Sequence, residues 1–209
     1  MRAEALRVQG GAGGAGGAFL AGPLLLTPQV FGDDRGFFLE SWNAQRWQEL
    51  LAAHGQSAAP FVQDNHSRSA RGVLRGLHWQ LPPHPQAKLV RCVLGEIFDV
   101  AVDLRRGSPS FGQWAGALLS AESHRQLWIP VGFAHGFLTL SEHAEVLYKT
   151  TDFWSRDCER ALRWDDPELA IAWPPLPQTT AQASSALQLS EKDGAAPLLA
   201  ELGQGDLFP

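Results

Sequence analysis

The amino-acid sequence predicts a mainly β protein, built as a sandwich, jelly roll or barrel, with few helices. Most of the chain consists of short runs of β-type residues, which glycine, proline, serine and aspartate interrupt. Only one segment repeats its apolar residues at helical spacing. The chain has 209 residues, of which 44% are hydrophobic and 19% charged. These amounts are typical of a soluble protein with one sizeable core, so we expect one domain.

The charge balance and the cysteines exclude some functions. A formal net charge of -5 argues against nucleic acid as a partner, because phosphate-tracking proteins gather lysine and arginine on one face. The negative net charge does not exclude a small anionic ligand. No run approaches the length of a membrane span, and the N-terminus is too glycine-rich for a signal peptide. Cys92 and Cys158 match no metal-ligand spacing and a chain this long needs no disulfide, so we expect reduced thiols and a cytoplasmic protein.

The elements follow in chain order. We expect residues 1–18, which contain VQGGAGGAGGAFLAG, to be flexible and residues 19–209 to form the domain. A helix is predicted over Ser41–Ala53, where apolar residues recur at helical spacing and Gly55 follows as a stop. Strand-like runs continue to the proline-rich WPPLPQ. An extended stretch is expected there, followed by a turn or short helix near SEKDGAAPLLAEL.

The segment KLVRCVLGEIFDVAVDLR is predicted to form two strands around a two-residue turn at Gly95 and Glu96. Residues opposite each other across a hairpin share a side of the sheet. The nearly apolar side should pack on a core, so the other side must meet bulk water or a wet pocket. The apolar side comprises Leu89, Arg91, Val93, Phe98, Val100 and Val102, and the other side Lys88, Val90, Cys92, Asp99, Ala101 and Asp103.

The stretch VLRGLHWQ resembles a strand but carries two polar side chains among core-type residues. Strict alternation puts Arg75 and His78 on opposite faces. Gly76 lies between them, where a bulge can shift the phase and aim both the same way. The alternative is that Gly76 only relieves crowding and one of the two side chains points to solvent.

The histidines argue against a metal centre. A small β-barrel that binds a transition metal usually presents two or three histidines with a carboxylate from neighbouring strands. The chain has seven histidines, and no two of them form an H-x-H pair. His135, in GFAHGF, has the surroundings of a hydrogen-bonded core histidine, as does His78. We therefore expect no metal.

Five segments then carry a resemblance to a known family: FGDDRGFFLESW, FVQDNHS, GVLRGLHWQLPPHPQAKLVRCVLGEIFDVAVDLRRGSPSFGQW, IPVGFAHGFLTL and LSEKDGAAP. In this order and spacing they resemble the dTDP-4-dehydrorhamnose 3,5-epimerase family, which acts on nucleotide-linked 4-keto-6-deoxy sugars. The similarity runs from about Gly22 to Leu199. It implies a cupin-type jelly-roll β-barrel with a few short helices, a homodimer, a pocket inside the barrel, and no metal or other cofactor.

The resemblance also implies roles for four residues. His78, the histidine of the GLH motif, corresponds to the base that removes the protons at C3 and C5, and Asp193, from LSEKD, corresponds to its partner. A carboxylate bonded to one ring nitrogen holds the imidazole and stabilises the imidazolium. Tyr148, the chain's only tyrosine, corresponds to the acid. A phenol needs a nearby cation for this role, and Lys88 is the expected one, placed near the C4 oxygen.

Further family positions imply contacts with the nucleotide sugar. One departure concerns the residue that stacks on the base, which is Trp154 where family members often have tyrosine; an indole still offers a flat face. Trp79 likewise stands where tyrosine or phenylalanine is common. The implied substrate-binding set is Arg35, Glu40, Gln63, Asn65, Arg75, Lys88, Asp99, His135, Trp154 and Glu159.

Three alternatives to this function stay open. A single-site epimerase of secondary metabolism would invert only C3 or only C5. A metal-dependent cupin oxygenase or isomerase would need histidine ligands that the sequence does not array. A non-catalytic jelly roll that binds nucleotide sugars would keep arginines and aromatics but could lose the base or the acid.

Overall fold

The computed structural model describes residues 1–11, 17–176 and 187–209. Its helices are α1 (Ala44–Ala53) and the single turn α2 (Glu191–Gly194), and two short 3-10 turns lie at Leu199–Glu201 and Gln204–Asp206. Its strands are β1 (Arg2–Arg7), β2 (Gly10–Gly11), β3 (Phe19–Thr27), β4 (Val30–Asp33), β5 (Gly36–Leu39), β6 (Gln63–Ala70), β7 (Leu74–Gln80), β8 (Lys88–Leu94), β9 (Glu96–Asp103), β10 (Gln113–Ser120), β11 (Gln126–Ile129), β12 (Phe133–Thr139), β13 (His143–Thr150) and β14 (Glu159–Ala161).

Strands β6 to β13 form two antiparallel sheets in jelly-roll order. Sheet I contains the order β11-β8-β13-β6 and sheet II the order β7-β12-β9-β10. Strands β1 and β3 extend sheet I, and β14 and β2 extend sheet II. The predicted mainly β jelly roll is therefore confirmed. Within the described ranges the sheets form a sandwich and are not joined into one closed hydrogen-bonded barrel.

The prediction that β8 and β9 form one hairpin is wrong. Strand β8 pairs with β11 and β13 in sheet I, whereas β9 pairs with β10 and β12 in sheet II. The chain crosses between the sheets at Gly95, whose φ is +74°. A Cβ atom at Gly95 would lie 2.1 Å from the carbonyl oxygen of His143. Only glycine fits this crossing, because any side chain would collide with the backbone of β13.

The predicted division of these two strands into faces nevertheless agrees with the packing. Val90, Cys92 and Ala101 belong to a core cluster that draws residues from both sheets. The apolar side of β9 faces a second cluster instead, together with residues of the C-terminal segment. Sheet II is therefore buried on both faces, and the side of β8 and β9 that carries polar residues looks into the interior between the sheets.

Strand β7 contains a bulge at Gly76. Opposite it on β12, His135 pairs with His78 and Phe137 with Arg75, so two steps on β12 match three steps on β7. The φ of Gly76 is +113°, and a Cβ atom there would lie 2.6 Å from backbone atoms of β12. The extra residue changes the phase of the strand. The bulge was one of the two alternatives predicted from the sequence, and it is the one that the structure adopts.

The expectation that residues 1–18 are flexible is wrong for the part that is described. Arg2–Arg7 pairs with β3 at the edge of sheet I, and Gly10–Gly11 pairs with β10 at the edge of sheet II. Leu6 and Val8 are buried in the core cluster between the sheets. Burial of these side chains offsets the entropy lost on ordering the segment. Residues 12–16, within the glycine-rich run, lie outside the described residues.

The two helices were both indicated by the sequence. Helix α1 begins three residues later than predicted because the side chain of Asn43 caps it by accepting from the N–H of Arg46. It ends before Gly55, as predicted. Residues 177–186, in the stretch expected to be extended, lie outside the described residues. In the ranges that are described, no helix has the length and apolar character needed to cross a bilayer.

Candidate functional site

A cavity of about 470 Å³ opens between the two sheets. Strands β6, β7, β8, β12 and β13 contribute to its wall, and the C-terminal segment leading into α2 closes one side. It brings together six of the residues assigned from the sequence, although they lie far apart along the chain. These six are Arg75, His78, Lys88, His135, Tyr148 and Asp193.

His78 and Asp193 form a hydrogen-bonded pair at this cavity. Nε2 of His78 lies 2.6 Å from Oδ1 of Asp193. The Asp193 side chain is 5% exposed, whereas the imidazole is 28% exposed and so remains accessible from the cavity. Because a carboxylate only accepts, Nε2 carries the proton of this bond. The arrangement leaves Nδ1 as the basic nitrogen of a neutral His78 ring.

The start of α2 fixes the Asp193 carboxylate. Ser190 is the N-cap of the turn, and its Oγ accepts a hydrogen bond of 3.1 Å from the N–H of Asp193. Burial alone would raise the pKa of Asp193. Hydrogen bonds from His78, from the Ser190 hydroxyl and from the N–H of Gly76 outweigh burial and hold that pKa below its ordinary value. Asp193 is therefore ionised, and its negative charge stabilises the His78 ring when that ring takes up a proton.

Lys88 provides a cation beside the histidine. Its Nζ donates to the carbonyl oxygen of His78 at 3.3 Å. Burial lowers the pKa of Lys88 to about 8, although the carboxylates of Asp99 and Glu159 oppose the shift. The buried ammonium is weakly solvated. Its N–H groups that do not bond to His78 can donate to a ligand oxygen.

A second histidine and carboxylate pair lies deeper. Nε2 of His135 lies 2.5 Å from Oδ1 of Asp99, and both side chains are buried. Burial lowers the pKa of His135 even though Asp99 opposes this, so the ring is neutral. His135 lines the cavity, but Asp99 is fully buried behind it and is not among the described lining residues. The bond to His135 is the contact through which Asp99 is connected to the cavity, and its contact with a ligand stays a prediction.

Tyr148 and Arg75 line the same cavity. Burial raises the pKa of Tyr148, and the charge of Arg75 partly opposes this. Arg75 is itself held by Ser69, whose Oγ accepts from its Nε at 2.9 Å. The charge of Arg75 therefore acts on the phenol, and the assignment of Lys88 as its cation stays a prediction. The phenol stays protonated at neutral pH, the state that a proton donor needs.

Two of the implied binding residues lie away from the cavity. Arg35 sits in the β4–β5 hairpin, where it pairs with Asp33, and its side chain is 90% exposed. Glu40 follows the hairpin and pairs with Arg46 on α1 at 2.9 Å. Neither is among the described residues that line the cavity. Within one chain, the structure does not bring them to His78.

Other residues that the resemblance assigns to substrate binding form a group at the N-terminal end of β6. The amide of Gln63 bonds to Asn65 at 2.9 Å and accepts from the N–H of Trp154 at 3.1 Å. The Trp154 side chain is 57% exposed, so its indole face is open to a planar ligand. Glu159 forms an ion pair with Lys192 of α2 at 2.5 Å.

Sequence reasoning missed several residues of the site. Ser67 on β6 and Phe137 on β12 line the cavity, and their positions on the same faces as assigned residues could have revealed them. Ser190 and Lys192 precede Asp193 in LSEKD, where the pattern S-x-x-D signals a helix N-cap. Across the described ranges, no group of three or more His, Cys, Asp or Glu side chains is arranged to hold a metal ion.

Comparisons with known proteins show which proteins this chain resembles. The family model described as dTDP-4-dehydrorhamnose 3,5-epimerase matches residues 18–201. A protein of that name from Pseudomonas aeruginosa is 59% identical over 89% of this chain and 94% of its own length. One from Salmonella typhimurium is 55% identical over 84% of this chain and 90% of its own.

A solved structure extends the agreement to the fold. The crystal structure of a dTDP-6-deoxy-D-glucose-3,5-epimerase from Legionella pneumophila, in complex with dTDP-4-keto-L-rhamnose, has a TM-score of 0.83 and is 44% identical. The alignment covers 99% of this chain and 98% of that one. The jelly roll and these similarities lead to one conclusion. The chain belongs to the dTDP-4-dehydrorhamnose 3,5-epimerase family, whose fold is of the cupin type.

Proposed function

We propose that this protein is a dTDP-4-dehydrorhamnose 3,5-epimerase, an isomerase that inverts C3 and C5 of dTDP-4-keto-6-deoxyglucose without a cofactor. Its product is then dTDP-4-keto-L-rhamnose, on the route to dTDP-L-rhamnose. The observation that carries the proposal is the His78 and Asp193 pair in one cavity with Lys88 and Tyr148. Relatives more than half identical to this chain bear the name of a 3,5-epimerase, which favours two inversions over one.

The chemistry accounts for the residue types. The protons on C3 and C5 flank the C4 ketone, so a base can remove either to give an enolate. Return of a proton to the opposite face of the carbon inverts it. Each inversion needs a base, a cation at the enolate oxygen and an acid on the other side of the sugar ring.

His78 is suited to be the base. Its Nε2 proton is bound by Asp193, so Nδ1 is available for the proton from carbon. The imidazolium that forms remains next to the ionised Asp193, which stabilises it as the carboxylate of a Ser-His-Asp triad does. A carboxylate buried at this distance also keeps the ring from rotating.

Lys88 and Tyr148 complete the reaction. The ammonium of Lys88 lines the cavity and donates to the backbone carbonyl of His78, and it stabilises the developing enolate oxygen. Tyr148 keeps its proton because burial raises its pKa, and it delivers that proton to carbon. Arg75 stabilises the phenolate left behind and helps bind the diphosphate or the sugar oxygens.

The remaining residues bind the nucleotide. Gln63, Asn65 and Trp154 form a group beside the cavity, and the exposed indole can stack on the thymine ring. The neutral ring of His135 offers a nitrogen to a sugar hydroxyl inside the cavity. Glu159, paired with Lys192, is assigned to the same ligand because its charge acts on Lys88 and Tyr148 of the cavity.

Homodimer formation is part of the proposal. The β4–β5 hairpin exposes Phe31, Phe37 and Phe38, and Arg35 projects from its tip away from this chain's own cavity. A second copy that buries these rings would place Arg35 where its guanidinium can grip the partner's diphosphate. The arrangement would explain why Arg35 and Glu40 match family contacts and yet lie outside the cavity.

The dimer is tested by sedimentation equilibrium of the wild type and of Phe37→Asp. We expect a dimer for the wild type, and a shift toward monomer with at least tenfold weaker substrate binding for the variant, because a charge in an apolar interface is costly. Leu118→Asp is the control, since Leu118 is exposed on β10, away from the hairpin. A monomeric wild type with full activity contradicts the dimer.

The proposed reaction is tested by proton NMR of dTDP-4-keto-6-deoxyglucose incubated with the protein in D2O without added metal. Deuterium should appear at both C3 and C5, together with the inverted product. Incorporation at one carbon alone would support the single-site alternative. A protein that binds the nucleotide sugar without any exchange would be the non-catalytic jelly roll.

Two variants in this assay separate the base from the acid. His78→Ala should lower exchange at both carbons by at least a thousandfold, because it removes the ring nitrogen that the bond to Asp193 keeps free for the proton from carbon. Tyr148→Phe should keep exchange more active than net epimerisation, since it loses only proton delivery. Equal losses of both signals in Tyr148→Phe would argue against its assignment as the acid.

The pKa of Lys88 predicts the alkaline side of the pH profile. Below about 8 the ammonium is charged and can stabilise the enolate; above it the amine is neutral, so kcat should fall as pH rises through about 8. Tyr148 cannot account for this limb because its pKa is raised above its ordinary value near 10. Lys88→Arg should move the limb upward, since a guanidinium keeps its charge. Lys149→Arg, outside the cavity, should leave it unchanged.

We also propose a cytoplasmic protein with a small-molecule substrate and neither nucleic acid nor a membrane as partner. Cys92 and Cys158 are free and buried, and burial raises the pKa of Cys92 to about 11, so the thiol stays protonated and unreactive. Free thiols fit a reducing compartment. Cell fractionation tests the location.

A further inference from the structure

We infer that Ser190 is a positioning residue of this site, whose single hydroxyl fixes both the location and the charge of the Asp193 carboxylate that orients His78. The inference rests on the proposed function, and it adds to it a residue that touches neither the ketone nor the base. Ser190 lies three residues before Asp193 and is the N-cap of α2. It also lines the cavity.

The geometry gives Ser190 two tasks. Its Oγ accepts from the N–H of Asp193 at 3.1 Å, which starts the helical turn and sets the backbone from which the carboxylate projects. The same hydroxyl and the N–H of Gly76 lower the pKa of that carboxylate. A serine hydroxyl has one donor and two acceptor lone pairs, so it can serve the N–H and the carboxylate together. Alanine at this position would remove both.

The turn depends on its cap because it is short. Helix α2 has four residues, far below the length at which a helix is stable by itself in water. The chain before it is anchored to β7, since Gln188 accepts from the N–H of Leu74 at 3.0 Å and donates to the carbonyl of Gly72 at 2.8 Å. The ion pair of Lys192 with Glu159 holds the turn itself. Within this anchored segment, Ser190 sets the position of Asp193.

Loss of the Ser190 hydroxyl should affect the proton-abstraction step through the bond between His78 and Asp193. The Nε2 of His78 must meet Oδ1 of Asp193 at 2.6 Å for Nδ1 to stay free and correctly aimed. A carboxylate that loses a donor becomes more basic, and one that loses its cap moves. Both effects act on the proton-abstraction step and leave the nucleotide contacts around Trp154 in place.

The test compares Ser190→Ala with Ser190→Thr in the full-length protein. Ser190→Ala should lower kcat about tenfold while KM stays within about twofold, since a bond to an ionised group is lost but the substrate contacts remain. The acidic limb of its pH profile should move to higher pH, because the carboxylate loses a donor and needs a higher pH to stay ionised. Ser190→Thr keeps the hydroxyl and should restore both values.

A matched control removes a hydroxyl that caps a turn elsewhere. Ser123 bonds to the backbone of Ser120 and Arg125, outside the cavity lining, so Ser123→Ala should leave kcat and the acidic limb unchanged. Thermal unfolding confirms that each variant is folded. Wild-type kcat and an unmoved acidic limb in Ser190→Ala would overturn the inference, as would a threonine variant no better than alanine.

A second readout separates this inference from the proposed function. In the carboxyl carbon NMR spectrum, the titration midpoint of Asp193 should be higher in Ser190→Ala than in the wild type, whether or not a substrate is turned over. A wild type that fails to exchange C3 and C5 protons contradicts the proposed function alone. An unchanged Asp193 midpoint in Ser190→Ala contradicts the role of Ser190 alone.

Discussion

The hydrogen bond between Nε2 of His78 and Oδ1 of Asp193 joins two parts of the chain that are 115 residues apart, and the site depends on it. Strand β7 must carry the imidazole into the interior between the sheets, and the bulge at Gly76 gives it that direction. The C-terminal segment must return across the jelly roll to the start of β7, where backbone bonds to Gln188 hold it. The carboxylate then arrives in a place that already excludes most water.

The same burial that makes the pair effective acts on three other ionisable groups of the cavity. It lowers the pKa of Lys88 to about 8 and that of His135, and it raises that of Tyr148. The cavity therefore holds an ammonium that a ligand oxygen can attract, a neutral imidazole and a protonated phenol near neutral pH. Low local dielectric strengthens each interaction with a developing charge. One physical cause, desolvation between two sheets, thus sets the protonation states that the proposed chemistry requires.

Much of the fold could be predicted from the sequence because it depends on local patterns. Short β-type runs predicted the sheets. Helix α1 ends just before Gly55, and the side chain of Asn43 caps its N-terminal end. The predicted hairpin at Gly95 was wrong because the sequence pattern of two β-type runs around a glycine is the same in both cases. The two strands can pair with each other, or the chain can cross from one sheet to the other. The order of residues 2–11 was missed because Leu6 and Val8 are buried only through contacts distant in sequence.

The site likewise combines features that local patterns predict with features that depend on contacts distant in sequence. The bulge at Gly76 was visible as an alternative in eight residues, but no local pattern brings Asp193 to His78, and only the family resemblance supplied that pairing. Asp99 was placed on the cavity side correctly, yet the depth that hides it behind His135 is a property of packing between sheets. The effect of Arg75 on Tyr148 was missed for the same reason. Side-chain depth and distance follow from the assembled sandwich, which periodicity along one strand does not encode.

The most direct test of this account is the tautomer of His78, read from the nitrogen chemical shifts and proton couplings of a ¹⁵N-histidine-labelled protein at pH 8 without substrate. The account predicts a neutral ring with its proton on Nε2, held by Asp193, and a bare Nδ1; in Asp193→Ala the two tautomers should mix. A proton fixed on Nδ1 in the wild type, or a tautomer that does not respond to loss of Asp193, would contradict it.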